Sequence, residues 1–343
     1  MGYLGAFFTA LVITFLITPL VRRLAVRYGF IDRPNERRVN RVPVPTGGGV
    51  GIFLGFTIPV LLTLPLSRTT AGILASGGLI LLLGLIDDRW SLRPLIKLAG
   101  QIAVAYLLTR FGLRIEFVTN PFGDMLYLGP LATPVTILWI VAVTNTINLI
   151  DGLDGLAAGI ASIACFPLFL IALQRGQTLA AFLTIALAGS CIGFLPHNFN
   201  PATIFMGDAG AMFLGFMLGA IAVQGALKGP TTIALTVPIL ILGVPIFDTL
   251  FAIVRRWQRG TPFYVADKGH VHHRLLDLGL TQRQAVMVMY FIGSFFGTIG
   301  LWLAGLETIA STLLFIFVGL GAALLARKLG VISSHRARGR FGG

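Results

Sequence analysis

Apolar runs close to the roughly 20 residues that carry a helix across a bilayer recur along the whole chain. They lie at about 3–21, 48–66, 70–86, 96–110, 131–147, 155–173, 178–195, 209–225, 231–254, 285–304 and 307–326. In hydrocarbon every backbone N–H and C=O must be bonded within the protein, and a helix does this within each segment. The composition agrees: 56% hydrophobic and 11% charged residues cannot cover a soluble globule of 343 residues with polar surface. Mean hydropathy is +0.88. The expected fold is an all-α polytopic integral membrane protein with about eleven transmembrane helices.

Two stretches break this pattern. Gly243, Pro245 and Asp248 interrupt the run at 231–254, so one broken helix is expected near 231–257. Residues 113–130 (LRIEFVTNPFGDMLYLGP) alternate apolar and polar side chains around Asn-Pro and Gly-Asp, which predicts a short extracytoplasmic hairpin. The first run carries no small-residue cleavage site and leads into arginines, which reads as a retained span. Cys165 and Cys191 both fall in apolar runs, without metal-site or disulfide spacing. No repeat, low-complexity tract or long linker divides the chain. A single transmembrane domain over 1–343 is expected, with a histidine-containing loop at 255–284 and a basic tail at 327–343.

Basic residues set the expected orientation, because cytoplasmic loops retain Lys and Arg. Segments 22–47, 87–97, 255–284 and 327–343 hold 21 of the 26, whereas the opposite face holds only Arg68, Arg110, Arg114, Arg175 and Lys228. The N-terminus is thus expected outside and the C-terminus in the cytoplasm. The net charge of +13 is mostly this signal, together with affinity for anionic lipid and an anionic substrate. It does not point to nucleic acid.

Polar residues that took no part in choosing that map sort themselves by it. Asp87, Asp88, Asp151, Asp154, Asp208, Asp248, Asp267 and all five histidines fall at the cytoplasmic side, leaving Glu116, Asp124 and Glu307 outside. A charge at membrane depth costs at least roughly 2.5–3.5 kcal/mol, so carboxylates gathered at one face suggest a shared task.

Four fragments carry them. In LLLGLIDDRW, Asp87 and Asp88 close a span. They read as a solvated helix end, but paired acids oppose the negative helix C-terminus unless a cation or a shared proton relieves them. Lys97 reads as an interfacial lysine or a phosphate contact. In NTINLIDGLDG, Asn145, Asn148, Asp151 and Asp154 recur every third residue, and Gly152 and Gly155 interrupt the helix. One aspartate could cap the next helix, but four oxygen-bearing side chains exceed a cap and suit a hard cation such as magnesium. In PHNFNPATIFMGDAG, Asp208 fits a helix N-cap and a metal carboxylate alike, two compatible roles. His197, Asn198 and Asn200 could read a polar ligand or satisfy a buried turn. In the 255–284 loop, HVHH lacks ordinary zinc spacing. His270, His272 and His273 with Arg255, Arg256 and Lys268 make better phosphate donors. Acids for a divalent metal beside bases for phosphates, at a membrane surface, fit phosphoryl chemistry between a soluble nucleotide and a lipid.

Taken together, DRPNERRVNRVPVPTGGGV (32–50), the acids at 87 and 88, NTINLIDGLDGLA (145–157), NFNPATIFMGDAG (198–210) and HVHH (270–273) resemble the polyprenyl-phosphate N-acetylhexosamine-1-phosphate transferase family, glycosyltransferase family 4. The HVHH form is similar to the branch that uses UDP-N-acetylglucosamine. Asn40 stands where that family pattern carries a histidine. The resemblance implies transfer of N-acetylglucosamine 1-phosphate from UDP-N-acetylglucosamine to undecaprenyl phosphate with release of UMP. This would be the first membrane step of a cell-surface polysaccharide such as O-antigen or teichoic acid. It also implies a bacterial inner membrane location with the site on the cytoplasmic face, need of Mg2+, with Mn2+ able to substitute, and a possible homodimer. Another UDP-N-acetylhexosamine or UDP-N-acetylmuramoyl-pentapeptide are the alternative donors.

Carried over by position, the resemblance implies that Asp208 and Asn148 hold magnesium. Asp87, with Asp88 beside it, would deprotonate or orient the lipid phosphate. Asp151 and Asp154 would shape the nucleotide and metal pocket. Lys97, Asn145, Asn198, Arg255, Asp267, His270, His272 and His273 would contact substrate. Direct attack of the lipid phosphate on the β-phosphate is expected, with a covalent aspartyl-phosphate as the other route. An ion-coupled transporter predicts polar residues at mid-membrane and related halves, which the sequence lacks. A non-catalytic lipid-binding scaffold would not need this set of acids, amides and histidines.

Overall fold

A computed structural model describes residues 1–34, 42–118, 126–226, 236–258, 270–305, 313 and 317–322. Of the positions singled out above, Asn40, Asp124, Lys228, Asp267, Lys268 and Glu307 lie outside them, as does the basic tail at 327–343.

The protein is an all-α membrane protein. Its helices are α1 (Tyr3–Arg27), α2 (Gly49–Thr63), α3 (Arg68–Trp90), α4 (Pro94–Arg110), α5 (Ala132–Ile150), α6 (Leu156–Gln174), α7 (Thr178–Asn198), α8 (Gly207–Ala226), α9 (Thr236–Ile241), α10 (Gly243–Gln258), α11 (Val271–Asp277) and α12 (Gln282–Leu303). Seven of them, α1, α3, α5 with the turn before it, α6, α7, α8 and α12, are long and apolar enough to cross a membrane. The expected spans at 48–66 and 96–110 form the shorter α2 and α4. The run at 307–326 lies mostly outside the described residues, of which 313 and 317–322 are helical.

Local sequence explains where the helices start and stop. The Ser67 side chain accepts from the Thr70 N–H to open α3, Pro94 occupies the first turn of α4, and Thr281 with Gln284 forms a capping box on α12. The broken helix is present: α9 ends at Ile241, whose carbonyl is the one that Pro245 has no N–H to reach. The hairpin is present too. β3 (Phe117–Val118) pairs antiparallel with β4 (Leu126–Tyr127), and the Ile115 N–H donates to Thr136 Oγ1 at the start of α5. A second small pairing joins β1 (Ile31–Asp32) to β2 (Val44–Pro45).

Burial orders the helices from the centre outward. The apolar window of α8 is 89% buried, against 28% for α1. Along α1, Leu4, Phe8, Leu16, Leu20 and Leu24 face outward, as a lipid-contacting stripe requires. Without a hydrophobic drive between helices in lipid, close approach of backbones holds such a bundle together, and small residues permit it. A Cβ on Gly189 or Gly193 of α7 would collide with the α1 backbone.

Candidate active site

The bundle places the C-terminal ends of α3 and α5 and the N-terminal ends of α4, α8 and α12 at one end, around a cavity of about 480 Å3. Its wall includes Asp32, Asp87, Asp88, Asp151, Asp154 and Asp208, six of the chain's 13 acidic residues. Asn148, Asn198, Thr46, Ser91, Gln282 and His273 complete the polar lining. Asp87, Asn148, Asp151 and Asp208, from three separate stretches of sequence, therefore share one environment.

At the centre stands Lys97. Its ammonium lies 2.7 Å from Asp87 Oδ2, 2.6 Å from Asp208 Oδ1 and 3.1 Å from Asn148 Oδ1. Asn148 closes the ring by donating through Nδ2 to Asp208 Oδ1 at 2.6 Å. Asp87 Oδ1 accepts from the Leu92 N–H at 2.8 Å and so secures the turn into α4, where Ser91 adopts a left-handed φ of 48°. Asp88 points elsewhere and accepts the N–H groups of Asp208 and Ala209 at 2.8 and 3.2 Å.

The TGGG segment ties the start of α2 to the start of α8. Phe205 N–H donates to the Pro45 carbonyl, while Gly48 and Gly49 donate to the carbonyls of Phe205 and Met206, at 2.8–3.0 Å. Any side chain at Gly49 would collide with the backbone of Gly210, so α2 and α8 begin almost in contact.

Beyond Ile150 helix α5 stops. Residues 151–155 form turns that end at Gly155, whose φ of +79° suits glycine. This break brings Asp151 and Asp154 back to the cavity. Asp154 Oδ2 accepts from Asn200 Nδ2 at 2.9 Å and from the Ala202 N–H at 3.0 Å. Asn200 also donates to Gln282 Oε1 at 2.8 Å, tying the loop to α12. Asn198 is buried and braces the same loop, accepting from the Gly155 N–H and donating to the Ile204 carbonyl.

The histidines form a stack leading out of the cavity. His273 lines it, and its ring is 4.4 Å from that of His272, which lies 5.7 Å from and nearly parallel to His270. His270 Nδ1 is 3.0 Å from Asp248 Oδ2, and Asp248 Oδ1 accepts from the Val271 N–H. His272 is buried against Gly152, where a Cβ would meet its Nε2 at 2.6 Å. Burial, followed by the neighbouring His273, pushes the His272 pKa down to about 3.

The cavity wall thus contains Asp87, Asp88, Asn148, Asp151, Asp154, Asn198, Asp208 and His273, with Lys97 bonded to three of them. Asn145, Arg255, His270 and His272 lie off it. One turn up α5, Asn145 exchanges hydrogen bonds with Gln101, and Arg255 is buried in α10. Sequence reasoning did not select Asp32, Thr46, Ser91, Gln282 or Gln101 as site groups, nor did it pair His270 with Asp248. Asp32 and Thr46 sit inside the 32–50 segment, but nothing local marks Gln282 or Gln101.

As a metal site, the oxygens of Asp87, Asn148 and Asp208 already converge on one cationic atom. Among the described residues no three His, Cys, Asp or Glu side chains form a ready-made cage. Magnesium held by one or two carboxylates and completed by substrate phosphates needs no such cage, so the donor set fits it.

Comparison with known proteins identifies the family. The glycosyl transferase family 4 profile matches residues 70–226. The chain is 41% identical to the probable undecaprenyl-phosphate N-acetylglucosaminyl 1-phosphate transferase of Bacillus subtilis (strain 168), over 91% of this chain and 88% of that protein. It is 37% identical to the decaprenyl-phosphate N-acetylglucosaminephosphotransferase of Mycolicibacterium smegmatis, over 82% and 77% of the two chains. Identity is 30% to the undecaprenyl-phosphate alpha-N-acetylglucosaminyl 1-phosphate transferase of Haemophilus influenzae, over 87% and 84%. With a relative this similar along nine-tenths of its length, the chain belongs to glycosyl transferase family 4.

Proposed function

We propose that this protein transfers N-acetylglucosamine 1-phosphate from UDP-N-acetylglucosamine to undecaprenyl phosphate, releasing UMP, at the cytoplasmic face of a bacterial plasma membrane. The observation that carries the reading is the ring of Asp87, Asn148 and Asp208 about Lys97 in an acid-lined cavity at one end of the bundle. Relatives along nearly the whole chain bear the name of this activity. The basic residues concentrated in the loops at that end support the assignment of its face.

In this reading a lipid phosphate oxygen attacks the β-phosphorus of the donor. A new P–O bond forms to the lipid as the bond to the UMP oxygen breaks, and UMP carries away the electron pair. A phosphate monoester is already largely ionised near neutral pH, so Asp87 has little proton to remove and acts chiefly in placing the nucleophile. The Lys97 ammonium, held between α3, α5 and α8, offsets phosphate charge without reorganisation. His273 donates to the sugar-phosphate end, while Asp151 and Asp154 shape the nucleotide side. Asp208 and the Asn148 oxygen would hold magnesium, or manganese in its place; bound there, a divalent ion supplies charge neutralisation for the diphosphate and the leaving group.

The test offers purified protein undecaprenyl phosphate with a panel of UDP-sugars and Mg2+ and identifies the lipid product by mass. A lipid-linked N-acetylglucosamine pyrophosphate is expected, with loss of transfer in Asp208→Asn. Retained transfer in that variant contradicts the metal role. Exchange of labelled UMP into UDP-sugar without lipid acceptor would replace direct attack by a covalent intermediate.

A further inference from the structure

We infer that Asp88 is a positioning residue: from α3 its carboxylate caps the first turn of α8 and so sets the Asp208 carboxylate, rather than exchanging a proton with substrate. The inference rests on the role of Asp208 in the proposed function.

The first N–H groups of a helix have no partner within it. An Asp, Asn, Ser or Thr before the helix would normally supply one, but α8 is preceded by Met206 and opens with Gly207. The Asp208 side chain is instead directed into the ring, its Oδ1 accepting from Lys97 and Asn148. Two of these orphaned N–H groups are met from outside, that of Asp208 by Asp88 Oδ1 at 2.8 Å and that of Ala209 by Asp88 Oδ2 at 3.2 Å.

The surroundings are shaped for this contact. One turn before Asp88, Gly84 lets α3 touch α8, where a Cβ would collide with the Ala209 backbone. On the other side a Cβ at Gly207 would collide with the Asp88 carboxylate and the Thr46 hydroxyl. The adjacent acids therefore diverge: Asp87 takes the Lys97 ammonium, while Asp88 takes the positive end of the α8 dipole. That divergence also answers how two carboxylates can close a helix at its negative end.

Asn is as good a cap as Asp but holds no charge and accepts no proton at neutral pH, so the two roles separate cleanly. In purified full-length protein assayed with UDP-N-acetylglucosamine and undecaprenyl phosphate, Asp88→Asn is expected to stay within about tenfold of wild type, having lost one of two hydrogen bonds. Asp88→Ala, which lets Asp208 shift, should fall by about 100-fold. Hydrogen exchange over residues 204–212 should quicken strongly in Asp88→Ala and only slightly in Asp88→Asn. An Asp88→Asn enzyme as inactive as Asp208→Asn, with exchange protection intact, overturns the inference, as does an Asp88→Ala enzyme with unchanged exchange and rate. Should Asp88→Ala not fold, Asp88→Asn decides alone by the same criteria. A fully active Asp208→Asn would instead remove the reading of Asp208 and leave the cap to be judged from exchange.

Discussion

Replacing Lys97 by Met keeps the length of the side chain and removes its charge, leaving Asp87 and Asp208 facing each other without a cation. At 2.6–2.7 Å each ion pair is worth about 6 kcal/mol of Coulomb energy at an effective dielectric near 20, before desolvation is subtracted. Removing one partner of a buried pair costs about 3–5 kcal/mol, because the other charge stays buried. The Asp87 side chain is only 8% exposed and bears that cost, whereas that of Asp208 is 36% exposed and water relieves it. A loss of about 3 kcal/mol follows, equivalent to a fall of roughly 3–6 °C in the thermal midpoint in detergent. In the double variant Lys97→Met, Asp87→Asn, the uncompensated charge is gone, so part of the loss should return, with a coupling of about 1–2 kcal/mol. Added Mg2+ should raise the midpoint of Lys97→Met more than that of wild type, since a divalent ion can stand between the same carboxylates. Unfolding followed by intrinsic fluorescence reads all of these variants. A double variant less stable than either single one, by the sum of their losses, would refute the view of Lys97 as the neutralising partner of Asp87.

Gly152→Ala should press on the His272 ring, lower the thermal midpoint and reduce kcat/KM about tenfold by displacing His273; Gly152→Ala with His272→Ala should recover stability, and failure to recover removes the steric cause. His272 also predicts a pH effect. Its folded pKa of about 3 lies below the ordinary 6.5, so as pH falls through 6.5 the unfolded chain takes up the proton first. The contribution to stability is whole above about pH 6.5 and shrinks towards pH 3, by up to about 1.4 kcal/mol per pH unit. His272→Leu should therefore show a flatter midpoint between pH 6.5 and 4.5 than wild type, and an equal slope would contradict the buried neutral ring. Tyr290→Phe deletes the 2.6 Å bond to the Gly155 carbonyl at the start of α6 and should cost about 1 kcal/mol, read as a small fall in midpoint.

Helices were legible where an apolar run ended on a residue with a backbone consequence. The run at 178–195 became α7 (Thr178–Asn198), and that at 96–110 began at Pro94 as α4. The interruption near Pro245 was legible for the same reason, but its place, after Ile241, follows from which carbonyl loses its donor. The acids of the site were legible as types because charge at membrane depth is costly. Their partners were not. Asn145 finds Gln101 across 44 residues, Asp88 finds the α8 backbone across 120, and His270 finds Asp248 across 22. Such choices are fixed by which helices cross, and a three-residue rhythm along one helix carries no record of that. Asn145 and Asn148 belong to the same rhythm, yet only Asn148 reaches the cavity.

What locates the site to within a hydrogen-bond length is the path of α8 through glycine contacts. Gly84 of α3 abuts Ala209, Gly49 of α2 abuts Gly210, and Gly215 would meet Thr144 of α5 if it carried a Cβ. Two of those helices also deliver the rest of the ring about Lys97, α3 bringing Asp87 and α5 bringing Asn148, while α2 begins three residues after Thr46 of the cavity wall. Backbone-to-backbone packing has none of the slack of long side chains, and in lipid it replaces the hydrophobic drive that would hold a soluble core. Each contact therefore fixes a helix and a functional group together. Widening any one of them by a methyl group would move a carboxylate relative to Lys97 by an appreciable fraction of the 2.6–3.1 Å over which the ring closes. Asp87 can stay buried beside Lys97 because those contacts hold its partners in place.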